Sequence, residues 1–393
     1  AYQRALILRP EYAEALNNLG NSLRQQGDID GADRFFKRAL HIDPLYQEAH
    51  NNSGIIQFER SHPQHSVNAY HRALAIAPDY AEAYNNLGIS HYTLGNPDLA
   101  QNNLARALAI RPDYPEALNN LGAVFRDQNR FSEAHTAYQQ ATELRPDYAE
   151  AHWNKGLLHL LEGEYETGWR RYEWRFENAQ LNNPRKPSPK PVWIGTEPIE
   201  GQSIMLYAEQ GLGDTLQFYR YAQLVRQLGA HVLLEVQPEI QDFLTTQSKA
   251  ISVFARGADI PDHDWIAPLM SMPLAFATTL NTIPSPKPYL HPDTRVLPRW
   301  EAILGPKTRL RVGLVPNGSP AHTEDHRRSI GWDGFSPLLD LPVDFYCLQK
   351  HLSEKDTRFL DRHPQVRNLS RAMIGFSDTA AIASMMDIVI SVD

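Results

Sequence analysis

Two textures of apolar residues divide the 393-residue chain. Up to residue 178 the apolar positions return every 34 residues; beyond residue 203 they gather into short runs. In the first texture the bulky side chains Phe36, Tyr70, Leu104, Tyr138 and Tyr172 keep the 34-residue step. So do the small residues Ala32, Ser66, Ala100, Ala134 and Gly168, and so do Gly20, Gly54, Gly88, Gly122 and Gly156. Pro10, Pro44, Pro78, Pro112 and Pro146 follow the same clock. Between the two helical stretches of each unit lies Gly27, Ser61, Gly95, Asn129 or Gly163, and Gly or Asn accepts the left-handed conformation that ends a helix. Each unit therefore reads as helix, turn, helix. Small residues let the two helices approach, and Pro opens the next unit where its missing N–H is tolerated. A periodic array of this kind stacks its units into one solenoid.

The second texture is α/β. "SIMLYA" (203–208) reads as a buried strand, "TLQFYRYAQLVRQLG" (215–229) as a helix ending in Gly, and "HVLLEV" (231–236) as the next strand. "WIAPLMSMPLAFA" (265–277) reads as a further strand and helix. A second unit begins at "RLRVGLV" (309–315), continues through the strand "VDFYCLQ" (343–349) and the helix "SDTAAIASMMD" (377–387), and ends in the strand "IVISVD" (388–393). Such strand–helix–strand units form nucleotide-binding-like parallel sheets. Joining the textures is the polar, Pro-rich linker "AQLNNPRKPSPKP" (179–191). Just before it Trp153, Trp169, Tyr172, Trp174 and Phe176 fall at helical spacings and read as a capping helix pair. The expected fold is multidomain: an all-α repeat superhelix over 1–178, then two Rossmann-type lobes over 192–308 and 309–393. The chain begins inside a helical pattern and stops where a binding loop is due, so a fragment at both ends is expected.

Composition narrows the classes. Hydrophobic residues are 42% and charged residues 21%, a globular balance. The length implies two or three domains, because single cores stop growing near about 250–300 residues. Net charge is -8, which gives no bulk attraction for nucleic acid. No apolar run reaches the roughly 18–20 residues of a transmembrane helix. Cys347 is the lone cysteine, which excludes an internal disulfide framework and a zinc ribbon. Together with the chemistry below it points to the cytoplasm.

One series has no propensity rationale. Asn18, Asn52, Asn86, Asn120 and Asn154 keep the 34-residue step, although Asn is a middling-to-poor helix former. A side-chain amide offers donors and an acceptor together, so a column of them can clamp an extended peptide backbone. The same column can instead bond the neighbouring repeat's backbone. Loss of Asn86 and Asn120 weakens peptide capture without lowering the melting temperature on the first reading, and lowers it on the second. The 34-residue pattern resembles the tetratricopeptide repeat, about five units of which cover 1–178. The Asn column is similar to the asparagine ladder of the O-GlcNAc transferase superhelix. The resemblance implies a concave face, made by the first helices, that binds peptide segments of other proteins.

In "YAEQGLGDTLQFYRY" (207–221), Gly211 and Gly213 fit the start of a dinucleotide fingerprint, but Leu216 stands at its third glycine. Glu235 is the acid expected about 20 residues on. Glu209 and Asp214 place two negative charges where a diphosphate wants positive potential. An acid at the mouth of a cleft suits another task, taking a proton from a hydroxyl. Asp is also a preferred helix cap, and Asp214 stays open between the two roles. In the second lobe the loop "PNGSPAHTEDHRRSIGW" (316–332) holds His322, His326, Arg327 and Arg328, and the loop after the next strand holds Gln349 and Lys350. Both loops fall on one rim of the sheet, as a diphosphate site or as a solvated basic edge. His322 and His326 lie four apart, but Pro320 and the polar surroundings argue for a loop and not a zinc site.

The pieces "EQGLGDTLQFYRY", "PLMSMPLAFATTLNTIPSPKPYL", "RVGLVPNGSPAHTEDHRRSI" and "DTAAIASMMDIVISVD" cover most of 190–393. They resemble bacterial proteins that join tetratricopeptide repeats to a glycosyltransferase-9-like, heptosyltransferase-type module. That resemblance implies a GT-B arrangement, with acceptor on the first lobe and nucleotide sugar on the second. It makes Asp214 the candidate base, with Glu209, Gln210, Gly211 and Gly213 in the acceptor loop. His322, Arg327, Arg328, Gln349 and Lys350 would hold the donor diphosphate, with no metal and no cofactor. Pro316 departs from the family's usual Trp, and the T-x-x-x-H-type loop due after Asp393 is absent. The implied function is an inverting glycosyltransferase whose repeats recruit a protein or glycan-bearing partner. The alternative is a protein-binding scaffold with a non-catalytic transferase-like module; a third, weaker reading is a nucleotide-dependent oxidoreductase.

Overall fold

The computed structural model describes residues 2–285, 288–318 and 325–392, and within them every side chain but those of Gln3, Ala5, His326 and Arg327. It divides into two compact units, 1–185 and 186–393. The first is all helix: α1 (Tyr2–Leu8), α2 (Ala13–Gln25), α3 (Ile29–Ile42), α4 (Gln47–Glu59), α5 (Pro63–Ile76), α6 (Ala81–Thr93), α7 (Pro97–Ile110), α8 (Pro115–Asp127), α9 (Phe131–Leu144), α10 (Ala149–Leu161) and α11 (Tyr165–Tyr172). From α2 on they pair as helix, turn, helix, as the 34-residue step predicts. Each turn between paired helices carries its residue in the left-handed region: φ is 84° at Gly27, 60° at Ser61, 75° at Gly95, 60° at Asn129 and 85° at Gly163. The first helices of successive pairs, α2, α4, α6, α8 and α10, pack on one another. Successive second helices approach less closely among the described residues, which puts the first helices on the inner radius of the stack. At its end, Arg175 is fully buried, with Tyr172 and Phe176 rings 4.6 and 4.0 Å from its guanidinium carbon. His152 stacks on Trp174 at 4.2 Å.

Two recurring contacts hold the stack. Within a pair, a ring or branched side chain of the second helix lies on a glycine of the first. A Cβ on Gly20, Gly54, Gly88 or Gly122 would stand 2.6, 2.5, 2.7 or 2.6 Å from Phe36, Tyr70, Leu104 or Tyr138, closer than packed atoms tolerate. Between pairs, asparagines bond asparagines. The Nδ2 atoms of Asn52, Asn86, Asn120 and Asn154 donate to Oδ1 of Asn17, Asn51, Asn85 and Asn119, at 2.9, 3.0, 2.9 and 2.9 Å. Asn17, Asn51, Asn85 and Asn119 are all buried. The neighbouring repeat is therefore bonded, through a side chain and not through its backbone.

The second unit holds two sheets. The first contains β1 (Ser203–Tyr207), β2 (His231–Val236), β3 (Ile251–Ala255) and β4 (Trp265–Pro268), with α12 (Leu212–Gln227) after β1, α13 (Pro238–Thr245) after β2 and the short α14 (Met272–Ala275) after β4. Next comes α15 (Leu297–Leu304). The second sheet contains β5 (Arg311–Val315), β6 (Asp344–Cys347), β7 (Val366–Asn368) and β8 (Ile388–Ser391). Its helices are α16 (Asp325–Arg328), α17 (Gly331–Phe335), α18 (Glu354–Arg362) and α19 (Phe376–Ser384). Both sheets are wholly parallel, in the orders β3-β2-β1-β4 and β7-β6-β5-β8. The helix α15 lies in the range expected for the first lobe, yet its Trp300 and Leu304 are buried with Tyr346 and Leu348 of the second. Half of the expected linker is anchored: Lys186 pairs with the buried Glu235, Lys190 pairs with Asp262, and Val192 bridges Ile266.

The glycine contact makes a directional prediction. Gly122→Ala gains about 1 kcal/mol of helix propensity but forces a methyl into the Tyr138 ring, and overpacking costs about 1–3 kcal/mol. The melting temperature of the chain, followed by circular dichroism, is expected to fall; an unchanged or higher value would show that the helices separate freely. Asn86→Ala with Asn120→Ala strands the buried Oδ1 atoms of Asn51 and Asn85, at about 1–3 kcal/mol each. That double variant is expected to melt lower, against a parent-like melt if the ladder faces only outward.

Candidate functional site

Both sheets present a topological switch point, where the chain leaves one strand in opposite directions, and such points are where ligands bind in open parallel sheets. In the first sheet it lies between β1 and β4. Glu209 follows β1, and its Oε2 accepts from the backbone N–H of Met270, just after β4, at 3.2 Å. That bond ties the two loops flanking the crevice. Gln237, buried at the end of β2, donates to the carbonyl of Gln210 at 2.6 Å and accepts from Thr215 Oγ1 at 2.9 Å. It clamps the loop to the first turn of α12. Asp214 is half-buried in that turn, and its Oδ2 accepts from the backbone N–H of Gly211 at 3.0 Å. The capping role is thus filled; the second carboxylate oxygen is left for other work. A Cβ on Gly213 would meet nothing within 4 Å, so the loop leaves open space above its backbone.

Glu235, the acid a dinucleotide ribose would need, is otherwise engaged. It is 4% exposed, ion-paired with Lys186, and accepts from the N–H of Gly257 at 3.3 Å. With Leu216 in place of the third glycine, this removes the ground for the oxidoreductase reading.

In the second sheet a cavity of about 640 Å³ opens at the carboxyl ends of β5 and β6. Gln349 and Lys350, both singled out from sequence, line it together with Asn317, Trp332, Ser353 and Asp356. Asp356 is buried in the first turn of α18 and accepts from Ser353 N–H at 2.9 Å, from Ser353 Oγ at 2.7 Å and from Asn317 Nδ2 at 3.0 Å. It therefore fixes the β5 loop to the β6 loop. Two polar atoms of the lining, Gln349 Oε1 and Trp332 Nε1, are buried without a hydrogen-bond partner among the described residues. Such unsatisfied groups cost about 1–3 kcal/mol each. Lys350 Nζ donates to the carbonyl of Ile374. Arg328 stands 3.5 Å from Asp325, which lines the cavity, but is itself outside the lining. His322 and the side chains of His326 and Arg327 lie outside the described residues. Cys347, at the end of β6, is fully buried, and burial pushes its thiol up to about 12.

On the repeats, the donor ends of Asn52, Asn86, Asn120 and Asn154 are committed between repeats, and Asn86 Oδ1 accepts from Asn85, whereas Oδ1 of Asn18, Asn52, Asn120 and Asn154 receives no hydrogen bond among the described residues. The column of acceptors is what remains for a partner. Sequence reading missed that each ladder Asn bonds the residue before the ladder position of the preceding repeat, and missed Asp356 and Trp332. The Asn-Asn pairs at 17–18, 51–52, 85–86 and 119–120 carried the first signal. Among the described residues no helix is long and apolar enough to cross a membrane.

Comparison with known proteins resolves the first unit. Models of the tetratricopeptide repeat match residues 13–46 and 79–147. Among curated proteins, protein FlbA of Caulobacter vibrioides is 27% identical over 257 residues, 58% of this chain and 42% of that protein. The chain thus spans less than half the length of this relative. The solved structure of YrrB, described as a TPR protein with an unusual peptide-binding site, is 21% identical at a TM-score of 0.35, covering 46% of this chain and 95% of that one. That of pilF from Pseudomonas aeruginosa is 23% identical at a TM-score of 0.39, covering 43% and 76%. Residues 13–46 and 79–147 are tetratricopeptide repeats, and the unit that contains them is an all-α array of such helix pairs.

Proposed function

We propose that the chain is part of a glycosyltransferase-like protein that moves a sugar from a nucleotide sugar to a protein or glycan hydroxyl, with its repeats holding the partner. The carrying observation is the pair of parallel sheets with the same strand order, one rim bearing Asp214 and the other a cavity lined by Gln349 and Lys350. In this reading the first sheet seats the acceptor. The free oxygen of Asp214 takes the acceptor's proton as the hydroxyl attacks the anomeric carbon, with inversion. The bond to the nucleoside diphosphate breaks, and Lys350 and Arg328 offset the charge that develops on it. His322 and Arg327 belong to the same proposed rim. No metal enters the reaction. The repeats supply the column of Asn18, Asn52, Asn86, Asn120 and Asn154 to an extended segment of the partner, with open acceptors at all but Asn86, whose Oδ1 accepts from Asn85.

A second reading, a protein-binding scaffold with a non-catalytic module, is favoured by one observation: Asp214 and Lys350 are both engaged in bonds to backbone. The two separate in one experiment on the full-length protein. Calorimetric titration with UDP-, GDP- and ADP-sugars is expected to give saturable binding that Lys350→Ala weakens at least fivefold. Asp214→Asn should keep donor binding and lower turnover by about 10²–10⁴. Binding of no nucleotide sugar leaves the scaffold reading; full turnover in Asp214→Asn removes Asp214 as base.

A further inference from the structure

The repeats contain a socket that their own arginines fill in two places and leave empty in two others. Arg111, at the end of α7, lays its guanidinium over the Tyr114 ring at 4.0 Å and bonds Glu82 at 2.6 Å. One repeat on, Arg145, at the end of α9, lies over Tyr148 at 4.7 Å and bonds Glu116 at 2.5 Å. A stacked, carboxylate-paired guanidinium is the arrangement that Arg, and not Lys, supports. Tyr12, Tyr46, Tyr80, Tyr114 and Tyr148 keep the 34-residue step, and so do Glu14, Glu48, Glu82, Glu116 and Glu150. The arginine does not. Arg9 heads the column and lies over the Tyr12 ring at 5.4 Å, but at the next two positions stand Asp43 and Ala77.

The backbone there is the same. Residues 43, 77, 111 and 145 have φ of -128°, -126°, -130° and -134° and ψ of 93°, 91°, 94° and 92°. Each N–H bonds the carbonyl four residues back, of Ala39, Ala73, Ala107 and Ala141. Only the cation is missing. In the Tyr80 socket the partner waits: Oε2 of Glu48 is buried with no hydrogen bond, and its other oxygen accepts only from Gln47 at 3.1 Å; in the Tyr46 socket Glu14 Oε2 accepts from the Tyr12 hydroxyl at 3.0 Å and no cation pairs with it among the described residues. The field at both sockets is negative. Burial and then the carboxylates of Glu48, Glu14 and Asp43 raise the Tyr46 phenol; burial and then Glu82 and Glu48 raise that of Tyr80.

We infer that the Tyr46/Glu14 and Tyr80/Glu48 sockets take two arginine side chains from an extended segment of a partner protein. The inference rests on the reading that the repeats hold a partner, and specifies its chemistry. Packed helices lie about 8–10 Å apart, and an extended chain rises about 3.3 Å per residue, so the two arginines sit roughly three residues apart, as Arg-x-x-Arg.

The test uses fluorescein-labelled Gly/Ser peptides carrying Arg-x-x-Arg, Lys-x-x-Lys or neither, titrated by anisotropy against the 393-residue chain. The arginine peptide is expected to bind at least tenfold tighter than the other two. Asp43→Arg with Ala77→Arg supplies the missing cations from within; it should melt no lower than the parent and lose that preference at least tenfold. Should the double variant fold poorly, Glu48→Gln is the second probe, with a loss of at least threefold for the arginine peptide alone. Equal binding of the arginine and neutral peptides overturns the inference and leaves the partner reading standing. Binding of no peptide overturns both, and unchanged preference in the self-filled variant overturns the sockets.

Discussion

Everything in the first unit hangs on a side chain lying flat against a glycine. Phe36 on Gly20, Tyr70 on Gly54, Leu104 on Gly88 and Tyr138 on Gly122 leave no room for a methyl group. That contact fixes how close the two helices of a pair come, and hence the pitch of the stack. A constant pitch brings the same atoms opposite each other in every repeat. It is why four asparagine pairs close within 0.1 Å of one another in length. It is also why a missing arginine can be recognised as missing, because the backbone at 43 and 77 matches that at 111 and 145.

The second unit follows a different logic. Parallel strands leave their functional loops at one edge, and the strand order decides where two loops part to leave a crevice. Here the same order occurs twice. In each sheet a buried side chain braces the loops near that edge: Gln237 under the Gly211 loop, and Asp356 between Asn317 and Ser353. These braces place Asp214 and Gln349 on firm backbone. Bracing of this kind is what a site needs to hold reacting groups in place.

How much of this could be read from the residues depends on range. The helix pairs, their left-handed turns and the glycine contacts were legible because a 34-residue period repeats a local signal five times. The strands β1, β2, β4, β5, β6 and β8 were legible as short apolar runs beside turns and helix-like stretches. The strands β3 and β7, at one edge of each sheet, were not: "ISVFA" of β3 is buried fully only at Ile251, and β7 is three residues long. The partner of the Asn column was missed because periodicity gives the step and not the direction a side chain takes around its helix. Asp356 meets Asn317 across 39 residues with no period to announce it. The two sockets are visible in sequence only as departures from a column, which carries meaning once the geometry of the filled ones is known.

If the rim of the second sheet is a nucleotide-sugar site and the repeats its recruiting arm, bound nucleotide sugar shields that rim and leaves the repeats as they were. Hydrogen–deuterium exchange is the test, on the full-length protein, with and without saturating nucleotide sugar and the free nucleoside diphosphate. Slowed exchange is expected, centred on residues 348–356 and the end of β5, with the repeats unchanged. Exchange that stays the same across the second sheet for every nucleotide sugar tried, at concentrations that saturate known transferases, would contradict it.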